Sequence, residues 1–77
     1  MAEIDNVNPP HYANHKIAVV DLITEYNLSF AAGNVVKYTC RATEKAGRED
    51  LKKALWYLLF ELGMPIEEIA TFTKSIP

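Results

Sequence analysis

One stretch, residues 48–62, constrains this chain more than any other. Ala54 to Phe60 is an unbroken apolar run of seven residues, far short of the roughly 20 that a membrane span needs. Gly47 and Gly63 bracket the stretch, and Glu49 and Asp50 stand where acids complement a helix dipole. The spacing predicts a helix over about 48–62. Leu51, Leu55, Leu58 and Leu62 recur at heptad-like intervals on one stripe, Tyr57 flanks it, and Trp56, Leu59 and Phe60 lie off it. Beyond residue 54 the helix is apolar around most of its circumference and must be covered on two sides. A 77-residue chain buries only about 60% of its unfolded surface and has too little material for two cores. Self-association is the expected solution. The alternative is that the N-terminal arm fills one side.

The other segments are shorter. Residues 1–13 read as an arm, because Asn6, Asn8, Pro9 and Pro10 prevent regular structure and Pro-Pro favours an extended chain. A first helix is expected over about 15–26, with Ile17, Val20 and Ile23 at helical spacing, Asn14 as its cap and Asn27 at its end. A second is expected over about 30–44, capped by Ser29, with Lys45-Ala46-Gly47 as its stop. Gly33 inside it costs about 1 kcal/mol relative to alanine and marks close approach of another backbone or a ligand. A short fourth helix is expected over about 65–72, with Pro65 in its first position, Glu67 and Glu68 in its first turn, Ile66, Ile69 and Ala70 as its apolar side, and residues 73–77 frayed. With no strand pattern or repeat, the expectation is one all-α domain: a compact bundle of three main helices, a short C-terminal helix and an extended arm.

Charge is unevenly spread. The formal net charge of −2 argues against binding of long nucleic acid. Yet residues 37–53 hold six basic against three acidic side chains, while the rest holds two against seven. A local basic segment in an acidic chain suits a small anionic ligand, although the same pattern describes a solvated pair of helices with i,i+4 ion pairs. The single cysteine, Cys40, excludes an internal disulfide and reads as a small buried hydrophobe. The acidic N-terminus has no secretory h-region, so the expected compartment is the cytoplasm.

The second helix would present Asn34, Lys37 and Arg41 on one face with Tyr38 beside them. An amide, an ammonium and a guanidinium on one stripe can clamp a phosphate. The third helix adds Lys52, Lys53, Trp56 and Tyr57, and Asp50 can fix Arg41 or Lys37 by ion pairing. His11 and Tyr12 on the arm can close over the site, and the rings can stack a base at about 1–3 kcal/mol. No Walker loop and no G-x-G-x-x-G is present. His11 and His15 have a metal-like spacing but straddle a helix start with no third ligand nearby. Neither a metal nor a resident cofactor is expected. Glu67 and Glu68 are adjacent, unlike the spaced carboxylates of magnesium-dependent helical pyrophosphatases.

The ordered run Pro10-His11-Tyr12, Gly33-Asn34-Val35-Val36-Lys37-Tyr38 with Arg41, then Asp50-Leu51-Lys52-Lys53-Ala54 with Trp56-Tyr57-Leu58 resembles a small phage family of unknown function. That family is also termed nucleotide-kinase-like, after an early kinase of a T-odd coliphage in which the same segment is part of a longer chain. The resemblance covers about residues 8–62. It implies a phage protein that handles nucleotides inside an infected bacterial host, with His11, Tyr12, Gly33, Asn34, Lys37, Tyr38, Arg41, Asp50, Lys53, Trp56 and Tyr57 as motif positions. Three readings follow. The first is a homo-oligomeric binder that sequesters a nucleotide or a cyclic nucleotide signal of host defence in a pocket between helices or subunits. The second is a nucleoside monophosphate kinase using ATP, with Lys37, Arg41 and Lys53 stabilising the transferring phosphoryl group and His11 or Asp50 as base. The third is an inhibitor of a host enzyme that acts through the apolar side of the third helix.

Overall fold

The computed structural model describes residues 15–44 and 47–77. Within them the chain is all-helical: α1 (Val19–Glu25), α2 (Phe30–Ala42), α3 (Gly47–Glu61) and α4 (Ile66–Lys74). The expected arm and the Asn14 cap lie outside the described residues.

The ends of the helices follow from local chemistry. Asn27 adopts a left-handed φ of 53° after α1, its N–H bonds the Thr24 carbonyl, and the Leu28 N–H reaches back to Ile23. Gly63 repeats the device after α3 at φ 94°, with Gly63 N–H on Phe60 and Met64 N–H on Leu59. Both are Schellman closures, which satisfy carbonyls that the helix itself leaves open. Ser29 caps α2, its hydroxyl accepting from the Ala32 N–H at 3.0 Å.

Several boundaries differ from expectation. α1 begins at Val19 rather than near residue 15, because Ala18 is extended (ψ 141°) and residues 15–17 form a bend. There the His15 ring bonds the Glu44 carboxylate at the end of α2. Val19 is the buried residue of α1, Val20 is half-buried and Ile23 packs on Gly33 of α2, whereas Ile17 precedes the helix and is exposed, so the expected inward face holds at Val20 and Ile23 but not at Ile17. α2 stops at Ala42 and passes through a turn at Thr43–Glu44. Gly47 takes a positive φ, as expected, but as the first residue of α3. Pro65 is the N-cap of α4 rather than its first helical residue. α4 runs on to Lys74 instead of fraying at 73, and Arg48 donates to the Pro77 carbonyl and so holds the C-terminal end.

α3 lies between α2 and α4, and α1 packs on the far side of α2. The arrangement is thin in one direction, with principal extents of 40 × 25 × 18 Å. Its buried apolar residues are few and mostly small: Val19, Ala31, Ala54 and Ile69. The face of α3 turned to α2 is Asp50, Ala54 and Tyr57, not the leucine stripe. Small side chains at Ala31 and Ala54 let the two backbones approach, and tyrosine rings fill the remaining width. Gly33 marks a close approach as expected, but the neighbour is a side chain: a Cβ there would sit 3.1 Å from Ile23 Cγ2.

Candidate functional site

The α2–α3 interface is built around one aromatic ring and one carboxylate. Tyr38 stacks on Tyr57 with centroids 6.0 Å apart and planes inclined by 12°, an offset parallel pair. Phe30 and Trp56 meet Tyr57 edge-on, at 6.0 and 5.1 Å, and Trp56 stacks on Phe60 at 5.7 Å. Three cations surround the Tyr38 ring: Lys37 Nζ at 4.6 Å from its centroid, Lys53 Nζ at 5.5 Å and the Arg41 guanidinium carbon at 5.9 Å. Each such contact contributes about 0.5–1 kcal/mol where water reaches the cation.

Asp50 is 0% exposed. One carboxylate oxygen lies 3.4 Å from Arg41 Nε and the other 3.9 Å from Lys53 Nζ. These are ion-pair distances without hydrogen-bond geometry: neither Asp50 oxygen, nor Arg41 Nε, has a hydrogen-bond partner among the described residues. A buried carboxylate keeps its charge only where cations offset its desolvation. Here one carboxylate fixes two cations, one on α2 and one on its own helix.

Beside this cluster runs an open groove of about 480 Å³. Tyr38, Trp56 and Tyr57 supply its aromatic wall, Lys52 and Lys53 its basic floor, and α4 closes the far side with Thr73 and Lys74. Glu49 is the one acid lining it and sits 3.8 Å from Lys52. Lys52 and Lys53 stand beside Glu49 and Asp50, and Lys74 adds a third ammonium group that leaves the groove with one excess positive charge, while the rings give it a flat apolar surface. Such a lining suits a ligand that carries both an anionic group and a planar ring.

Of the residues expected at a site, Tyr38, Lys53, Trp56 and Tyr57 line the groove, whereas Lys37 and Arg41, the expected phosphate clamp, gather around the Tyr38 ring without lining it, with Asp50 pairing Arg41 as the sequence suggested. Asn34 shares the same helix, but its amide donates to the Phe30 carbonyl at 2.9 Å. His11 and Tyr12 lie outside the described residues. Cys40 is half-buried rather than buried. Among the described residues no group of three or more metal-type ligands occurs, and no helix is long and apolar enough to cross a membrane.

The contribution of α4 was not legible. Thr73 and Lys74 fall in the segment expected to fray, and a lysine in a last helical turn reads first as a partner of the helix dipole. Only the docking of α4 on α3 carries it to the groove.

The chain belongs to the family described as a protein of unknown function (DUF3310), whose model matches residues 7–59. The match spans α1, α2 and most of α3, and so includes the Tyr38 cluster and Asp50, while the wall formed by α4 lies beyond it. No curated protein and no solved structure matches the chain.

Proposed function

We propose that this chain is a binding protein that retains a small nucleotide, linear or cyclic, in the groove between α2, α3 and α4. The observation that carries the reading is the lining of that groove, with Lys52, Lys53 and Lys74 beside the rings of Tyr38, Trp56 and Tyr57. The ammonium groups take phosphate oxygens, and a base lies against Trp56 or Tyr57. The nucleotide class comes from the resemblance of the motif residues to the nucleotide-kinase-like phage proteins. In that setting the ligand is a host nucleotide, such as a cyclic signal of host defence, and the role is sequestration.

The place of Asp50 argues against its serving as the base of a phosphoryl transfer, one of the two candidates for that role. A catalytic base must come within hydrogen-bond reach of the hydroxyl it deprotonates. Asp50 is fully enclosed and flanked by Arg41 and Lys53. It acts as a positioning residue that spaces two cations around the Tyr38 ring.

The test is ligand recovery. The protein is incubated with ATP, a panel of nucleoside monophosphates and a panel of cyclic oligonucleotides, freed of unbound material and denatured, and both fractions are read by mass spectrometry. Release of one species unchanged, lost in Lys52→Glu and Lys74→Glu, is the expected result. Conversion of a monophosphate to a diphosphate with matching loss of ATP replaces sequestration with kinase activity. Retention of nothing, or retention unaffected by both charge reversals, refutes the site.

A further inference from the structure

Arg41 is engaged less fully than its place requires. Its side chain is only 30% exposed and its Nε is enclosed, yet Nε has no hydrogen-bond partner among the described residues. Asp50 holds it by charge, at 3.4 Å. A guanidinium carries five N–H donors in a flat fork that matches two oxygens of a phosphate, and enclosed donors without acceptors are costly. The guanidinium carbon lies 5.9 Å from the centroid of the Tyr38 ring, and Lys53 Nζ lies 5.5 Å from the same point. Tyr38 and Lys53 both line the groove. Arg41 therefore stands at the rim of the groove, one ring away from its interior.

We propose that Arg41 and Lys53 form a second phosphate subsite at this rim, so that the retained ligand carries two phosphate groups, one inside the groove beside Lys52 and Lys74 and one over the edge of Tyr38. The proposal rests on the reading of the groove as a nucleotide site and adds the number of phosphates. Charge selects that number. Lys52, Lys53, Lys74 and Arg41 stand against Glu49 and Asp50, which leaves two positive charges in excess. Two phosphate groups bring at least two negative charges, whereas a single phosphodiester brings one. Asp50 prepares the subsite. It is 0% exposed and lies between Arg41 and Lys53, so it orders both cations before a ligand arrives and lowers the cost of ordering them on binding. A nucleoside diphosphate and a cyclic dinucleotide both offer this chemistry.

The test compares phosphate with pyrophosphate on the full chain by titration calorimetry at matched ionic strength. Pyrophosphate is expected to bind at least about tenfold more tightly. Arg41→Lys keeps a charge beside Asp50 but removes the fork, and is expected to abolish most of that margin. Lys53→Gln, at a side chain already 51% exposed, is expected to do the same. Lys16→Gln, on the bend before α1, should leave the margin unchanged. Adenine and guanine nucleotides then separate the sources. A nucleoside diphosphate or a cyclic dinucleotide should be retained at least about tenfold more tightly than the matching monophosphate or cyclic mononucleotide, with the margin lost in Arg41→Lys. Absence of pyrophosphate binding, equal affinity for one-phosphate and two-phosphate ligands, or a margin untouched by Arg41→Lys overturns the second subsite and leaves the groove as a nucleotide site. An Arg41-dependent preference for pyrophosphate with no nucleotide retained supports the subsite and overturns the nucleotide reading instead.

Discussion

Replacing Asp50 by asparagine keeps the shape of the side chain and removes its charge, so it isolates what the carboxylate does. At 3.4 Å from Arg41 Nε, a unit-charge pair interacts by about 5 kcal/mol at an effective dielectric of about 20. Against this stands the desolvation of the ions, several kcal/mol for each when fully buried. Asp50 bears that penalty in full, but Arg41 is still 30% and Lys53 51% exposed, so both rehydrate in part when the carboxylate is lost. The loss should therefore fall between the 0–1 kcal/mol of an exposed pair and the 3–5 kcal/mol of a broken buried one, at about 2 kcal/mol. For a chain of this length each kcal/mol moves the midpoint by about 4–8 °C, so Asp50→Asn should lower Tm by about 8–16 °C. The assay is thermal unfolding by far-ultraviolet circular dichroism at fixed protein concentration, with Arg41→Met and the double variant completing a cycle. A coupling of about 1 kcal/mol or more is expected for groups in contact. A Tm drop under about 3 °C, or a coupling within the roughly 0.3–0.5 kcal/mol scatter of independent sites, would refute the reasoning and make Asp50 a passive filler.

Other perturbations address the frame around the site. Ile69 is fully enclosed, so Ile69→Ala should destabilise by about 2–5 kcal/mol and loosen α4. Hydrogen exchange that stays slow across Ile66–Lys74 would show that α4 is held by something else. Gly63 sits at φ 94°, where a Cβ is strained, so Gly63→Ala should lower stability in urea by about 1 kcal/mol or more; no change would mean the Schellman closure survives by shifting its backbone. Ser29→Ala removes the hydroxyl that accepts from Ala32 and should cost about 1 kcal/mol, with an unchanged urea midpoint arguing that water replaces the cap.

Much of the helical frame could be read directly, because its signals are local. Ser29, Asn27 and Gly63 act through their own backbone angles and through bonds to residues at most five positions away. The grouping of Lys37, Tyr38 and Arg41 is equally local, since Arg41 stands four positions from Lys37 and three from Tyr38, spacings that are neighbours on any α-helix. The start of α1 was misplaced because the bend at residues 15–17 accompanies a contact between His15 and Glu44, 29 positions along the chain. The persistence of α4 to Lys74 was missed for the same kind of reason: the contact that holds the C-terminal end comes from Arg48.

The sequence by itself determined that the chain is helical, where α2 and α3 run, and that α3 carries more apolar surface than one partner can cover. Those properties rest on backbone preference and side-chain period, which neighbours along the chain decide. Which face of α3 meets α2 was settled by tertiary packing. Periodicity points to the leucines as the natural seam, yet the helices meet through Ala31, Ala54, Asp50 and the Tyr38–Tyr57 pair. Small residues allow close backbones, stacked rings fill the remaining width, and a carboxylate can be enclosed there because Arg41 and Lys53 arrive from two helices to balance it. Pairing of that kind depends on all three groups being brought together at once, and only the folded chain supplies it.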